Sequence, residues 1–103
     1  MNSAVARINA FGESHNVSLK FDHYQNNGRI AIKAMTHEGM FGMLTVNIPD
    51  AALAEDEFIL KNYSENAGWA EECVAQFGQF ENTGRFARSG FVTCPIYRIK
   101  NPA

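Results

Sequence analysis

Apolar residues in this chain recur at two spacings. In residues 62–80 they return every three or four positions, so Ala67, Trp69, Ala70, Cys73, Val74 and Phe77 share one arc of a helix, with Gly68, Glu71, Glu72 and Gln76 outside it. Ser64 stands where an N-cap is wanted, and Glu65 meets the positive end of the helix dipole. Gly78 suits the left-handed position past a helix C-terminus. Gly68 costs up to about 1 kcal/mol relative to alanine in the first turns. Packing against a sheet must therefore hold the helix.

The rest of the chain alternates or breaks in the manner of strands. Residues 5–11 predict a first strand of poor alternation. Val17, Leu19 and Phe21 alternate with Ser18, Lys20 and Asp22, the period of a half-buried strand. Asn26-Asn27-Gly28 supplies a hairpin turn into residues 29–36, and His37-Glu38-Gly39 a second turn into residues 40–48, where Leu44, Val46 and Ile48 face one way. Pro49-Asp50 ends that strand, since proline has no amide for a ladder. An acidic loop or helical turn precedes a short strand at 57–61 and the helix. Residues 79–88 predict a loop running into strand, Ser89-Gly90 a turn or bulge, and residues 91–99 a final strand. Pro95 within it predicts an edge position or a break in pairing. The order predicts one α+β domain over residues 1–103: an antiparallel β-sheet of five to six strands with one packed amphipathic α-helix.

Composition fits that class. The 103 residues are 46% hydrophobic and 19% charged, enough for one core without disulfide staples. No apolar run approaches the roughly 20 residues of a membrane helix, and the first residues lack the pattern of a secretion signal. A cytoplasmic, reducing location is the expectation. Cys73 falls on the apolar stripe and forms no CxxC pair with the distant Cys94, so buried thiols are expected rather than a redox or metal site.

Charge is unevenly spread. Residues 50–72 hold seven acids (Asp50, Glu55, Asp56, Glu57, Glu65, Glu71, Glu72) against Lys61 alone, whereas residues 85–100 hold Arg85, Arg88, Arg98 and Lys100 and no acid. Two readings follow: a solvated acidic face partly paired with the basic terminal strand, or an acidic patch offered to a basic macromolecular partner. Arg85, Phe86, Arg88, Phe91, Tyr97 and Arg98 interleave cations with rings as a single-strand platform does, but a pI near 5.9 argues against direct nucleic-acid binding.

Chemistry-bearing constellations are not evident. His15, His23 and His37 are scattered, the glycines form no phosphate loop, and the neighbours Asp56 and Glu57 or Glu71 and Glu72 point in different directions. Cys94 has no histidine at an informative spacing. No catalytic, cofactor or metal residue is assigned, and a non-enzymatic protein is expected.

Several short motifs occur in order: Tyr24…Asn27-Gly28-Arg29-Ile30-Ala31-Ile32, Val46-Asn47-Ile48-Pro49, Lys61-Asn62-Tyr63-Ser64-Glu65-Asn66, Thr83-Gly84-Arg85, and Ser89-Gly90-Phe91-Val92-Thr93-Cys94-Pro95. Together, over roughly residues 17–99, they resemble a family of small uncharacterised proteins, a domain of unknown function, carried by phages, plasmids and integrative elements. The resemblance implies an accessory protein that counters host defence by binding a nuclease or surveillance complex, as an anti-CRISPR protein does. It transfers no catalytic residues. Turn, cap and strand-end geometry accounts for most motif positions, whereas Tyr63, Glu65, Asn66, Thr83 and Arg85 are expected to cluster where the helix start meets the loop before the final strands. With Asp50, Glu55, Asp56, Glu57 and Glu72 they form the expected partner-binding surface. The expected partner is a host protein or ribonucleoprotein complex, reached without membrane or direct nucleic-acid contact, by a monomer or a homodimer. A regulatory domain that binds nucleic acid through the basic terminal strand is the alternative, and an enzyme of unknown chemistry the third.

Overall fold

The strand expected at residues 40–48 does form, but it bends at Leu44 and serves two sheets. In the computed structural model, which describes residues 5–100, the elements run β1 (Val5–Ala10), β2 (Glu13–His23), β3 (Ile30–Thr36), β4 (Gly39–Met43), β5 (Thr45–Val46) and β6 (Glu57–Leu60). A single 3-10 turn (Ser64–Asn66), the helix α1 (Trp69–Ala75), β7 (Phe80–Ser89) and β8 (Val92–Ile99) complete the order. The first sheet is the antiparallel meander β1-β2-β3-β4, and the second is antiparallel in the order β5-β6-β8-β7. The class is α+β, as expected, but the single sheet of five to six strands is replaced by two sheets of four strands each.

Leu44 is the joint. Its N–H donates to the Ile32 carbonyl of the first sheet at 2.8 Å, and its carbonyl accepts from Lys61 N–H beside the second at 2.8 Å. Thr45 reinforces the corner, its Oγ1 accepting from Ile32 N–H at 3.2 Å and meeting the Tyr24 hydroxyl at 2.9 Å. Corners of this kind let one strand pass between sheets. The bend also splits the expected stripe: Leu44 enters the main core, while Val46 and Ile48 pack on a second, smaller one. Period-two alternation carries no information about a corner.

The main core joins Ile8 and Val17 of the first sheet, Phe58 and Leu60 of the second, and Trp69 and Val74 of α1. The smaller core lies under residues 46–53, where Ile59, Ala87, Cys94 and Ile96 are covered by Val46, Ile48, Ala51 and Leu53. No helix is long and apolar enough to cross a membrane among the described residues.

The helix is shorter than its periodicity predicts. Gly68 takes φ +87 and occupies the N-cap, so the segment breaks into a 3-10 turn and two turns of α-helix. Ser64, expected as the cap, instead lies in the 3-10 turn at φ +58, and Gly78 lies outside the left-handed region. The arc itself is right for Trp69, Ala70, Cys73, Val74 and Phe77, all buried, and wrong for Ala67, which is exposed. Residues 79–88, expected as a loop running into strand, are strand from Phe80 onward. β8 is an inner strand of the second sheet, yet Pro95 stands where its pairing with β6 is broken, one of the two outcomes expected of it. Pairing of β8 with β6 stops at Ile96, so the missing amide of Pro95 interrupts no bond there.

One edge is closed by side chains. Gln76 on the C-terminal side of α1 accepts from Arg7 N–H at 2.9 Å and donates to Arg7 carbonyl at 2.8 Å. Glu72 accepts from Asn9 N–H at 3.2 Å. The helix thus stands in for a neighbouring strand along the outer edge of β1, which would otherwise template pairing with another chain.

Candidate binding surface

The carboxylates of residues 50–72 do not gather into one acidic surface. Glu57 is buried in β6, where the Arg85 guanidinium and, at 2.9 Å, Ala54 N–H donate to it. The Arg85 hydrogen bond, then that of Ala54, holds its pKa below the ordinary 4.5. Glu65 takes the Lys61 ammonium at 2.6 Å, and that contact is the leading reason its pKa falls to about 2. Glu71 accepts from Asn62 at 3.2 Å, and Glu72 is spent on the β1 edge. Asp50, Glu55 and Asp56 are exposed on the loop before β6. Of the seven acids, Glu57 and Glu65 are thus paired with cations, and Asp50, Glu55 and Asp56 are left exposed on one loop.

The basic strand is likewise occupied. Arg98 donates to Glu81 at 2.9 Å, which lowers the Glu81 pKa and raises that of Arg98. With Arg85 held by Glu57, only Arg88 and Lys100 of the four stay clear of an ion pair among the described residues.

The expected cluster at the helix start does not assemble. Asn66 is fully buried at the joint between the sheets, where its Nδ2 donates to Met43 carbonyl at 2.6 Å and Lys61 carbonyl at 3.0 Å, leaving Oδ1 without a partner. Thr83 and Arg85 belong instead to a bulge in β7. There Thr83 Oγ1 donates to Ile96 carbonyl at 2.7 Å and accepts from Arg85 N–H at 3.1 Å, around Gly84 at φ +84. Tyr63 is half-buried on the smaller core with Lys61 Nζ 5.6 Å from its ring centre. These residues build the fold.

The same holds for other motifs. Arg29 donates to the carbonyls of Ile48 at 2.9 Å and Ala51 at 2.6 Å, and Asn47 exchanges amide bonds with Asn26 and Asn27 at 3.2 and 3.1 Å. The first motif therefore anchors the second. Both cysteines are buried, and burial pushes the Cys73 thiol up to about 12 and raises that of Cys94, so both stay protonated near neutral pH. His15 leans on Phe41, with ring centres 4.7 Å apart, while His23 and His37 are exposed; none approaches Cys94.

Two exposed large apolar side chains, Phe86 and Phe91, lie on the outer half of β7 and β8. From Phe86 to Pro95 these strands form a two-stranded arm that extends past the pairing with β6. Its tip is the two-residue turn Gly90-Phe91, with Gly90 at φ +61 as the first position of such a loop requires. Phe91 is fully exposed (105%) and Phe86 is 62% exposed. Phe86 and Arg88 share one face of the arm, and Ala87 and Cys94 face the smaller core. Beside the free edge of β7 runs a groove of ≈ 700 Å³ between Gly84–Arg88 and Ile48–Ala52.

A second exposed ring stands at the opposite hairpin. Phe11 and Gly12 form the β1–β2 turn with φ +55 and +79, and Phe11 is 71% exposed. Asparagine is the usual residue there; a left-handed phenylalanine costs about 1–2 kcal/mol. The sequence places Phe86 and Phe91 among the rings of a nucleic-acid platform, Phe91 also in a motif, and Phe11 at the end of the first strand; a phenylalanine beside a glycine between two strands is the signal for the turn. Comparison with protein-family models, curated proteins and solved structures finds no match to this chain.

Proposed function

We propose that this chain is a non-enzymatic accessory protein of a mobile element that binds and inhibits a host defence or nucleic-acid-handling complex, in the manner of an anti-CRISPR protein. The contact is the β7–β8 arm rather than an acidic surface. The observation that carries the proposal is Phe91, fully exposed at the arm's tip, where the turn needs only its backbone. Large aromatic side chains are the usual anchors of protein interfaces, and an apolar ring held in water contributes nothing to folding. The motif resemblance supplies the biological setting.

The test is an interference assay in a host whose defence system restricts the element, with and without this chain. Expression of the wild type is expected to restore establishment of the element, and Phe91→Asp to abolish that effect with no change in the melting transition. A wild-type chain that leaves interference intact removes the anti-defence reading. Phe91→Asp acting as well as wild type removes the arm as the contact.

A further inference from the structure

We infer that the free edge of β7 is a strand-addition site for an extended protein segment that alternates acidic and small apolar residues; this rests on the arm being the contact surface and names its mode of recognition. Ser89 and Val92 flank the two-residue turn and pair directly, so main-chain bonding across the hairpin alternates from there. Ala87 bonds to Cys94, whereas Phe86 and Arg88 turn their N–H and carbonyl groups away from β8, toward solvent. Pro95, opposite Phe86, has no N–H, which fits a pair that exchanges no bonds across the ladder. Two donors and two acceptors thus line an edge that no element covers among the described residues, and an added strand satisfies them.

The surroundings define the side chains of that strand. On one side it meets the groove, whose floor is Ala87 and Ile96 and whose far wall is Ile48 and Ala51. Arg29 fixes that wall through the carbonyls of Ile48 and Ala51, so the groove is formed before a ligand arrives. Small apolar side chains fit there, and Asp50 on the rim disfavours carboxylates. On the other side the strand meets Phe86, which accepts an aliphatic stem, and the exposed Arg88, which favours a carboxylate at the position beside it. A second copy of this chain is the poorer occupant. Arg88 is the unpaired charge of that edge, so antiparallel self-pairing centred on it sets one arginine against its copy.

The test uses the full chain and a synthetic peptide of about eight residues alternating glutamate and valine, read by amide hydrogen exchange. Exchange of the Phe86 and Arg88 amides is expected to slow by about tenfold or more, with Ala87, already bonded, unchanged. A lysine–valine peptide and a fully N-methylated glutamate–valine peptide are expected to give no protection. Arg88→Glu is expected to transfer the preference to the lysine peptide. Unchanged exchange at about 1 mM peptide, or equal protection by either control peptide, overturns the inference, as does protection that grows with protein concentration alone. Loss of anti-interference activity in Phe91→Asp without any peptide response leaves the arm as the contact and removes strand addition. A peptide response from a chain that is silent in the interference assay does the reverse.

Discussion

The outer edges of β1 and β7 face the same physical problem and meet it in opposite ways. Each is the last strand of a sheet, with alternate main-chain groups aimed away from its neighbour. At β1 the helix lies alongside and supplies Gln76 and Glu72 as substitutes for a strand, so Arg7 and Asn9 are bonded. At β7 no element lies alongside, and the stretch from Phe86 onward carries an exposed ring, an exposed arginine and a preformed groove. One fold thus contains a sealed edge and an open one. The strand addition proposed above would use the open edge and leave the sealed one untouched.

The comparison breaks most severely at the joint that holds the two sheets in register. Asn66→Ala orphans the buried carbonyls of Met43 and Lys61, and loss of about 3 kcal/mol is expected in urea unfolding. A midpoint within error of wild type would show that Asn66 does not clamp the joint. Next comes Arg85→Met, which strands the buried Glu57 charge beneath the arm. Because Arg85 is itself half-exposed, the cost at pH 7 is about 2 kcal/mol, less than for a fully buried pair.

That second prediction has a pH signature. Glu57 has a folded pKa below the ordinary 4.5, so in the wild type its pairing adds stability that is present above pH 4.5 and lost as pH falls through the folded value. Removing Arg85 removes that contribution. The gap between variant and wild type is expected to be full at pH 7 and to narrow below pH 4.5 in parallel thermal melts. A constant gap across that window would assign the loss to packing instead.

The sealed edge offers a milder perturbation. Gln76→Ala with Glu72→Ala exposes the Arg7 and Asn9 amides at a cost of about 1 kcal/mol, since these bonds are exposed to water. Faster exchange of those two amides, with β7 amides unchanged, is the expected reading, together with new self-association through β1. The smallest effect belongs to Phe11→Asn, expected to stabilise by about 0.5 kcal/mol by relieving the left-handed phenylalanine while losing the contact with Phe41, 6.0 Å away. A destabilised variant would mean the ring's contact with Phe41 outweighs its strain.

Much of the fold was legible in short-range pattern. The arc of Trp69, Ala70, Cys73, Val74 and Phe77 follows from periodicity, and the antiparallel run of β2, β3 and β4 from periodicity and the turn residues between them. Gly68, recognised as a weak point, proved to be a break: its cost was read as a propensity, whereas its left-handed conformation sets where the helix starts. The charge layout misled for a related reason. Glu57 and Arg85 lie 28 positions apart, and only the pairing of β6 with β8 and of β8 with β7 brings them together.

By itself the sequence determined an α+β class, a buried helical stripe, buried thiols and the turns, because those depend on each residue and its near neighbours. Tertiary structure decided the division into two sheets at Leu44, the neutralisation of the acids, and which strand edge is covered and which is open. These depend on contacts between residues distant along the chain, and hydrophobic period and local charge do not encode which strand becomes the last in its sheet.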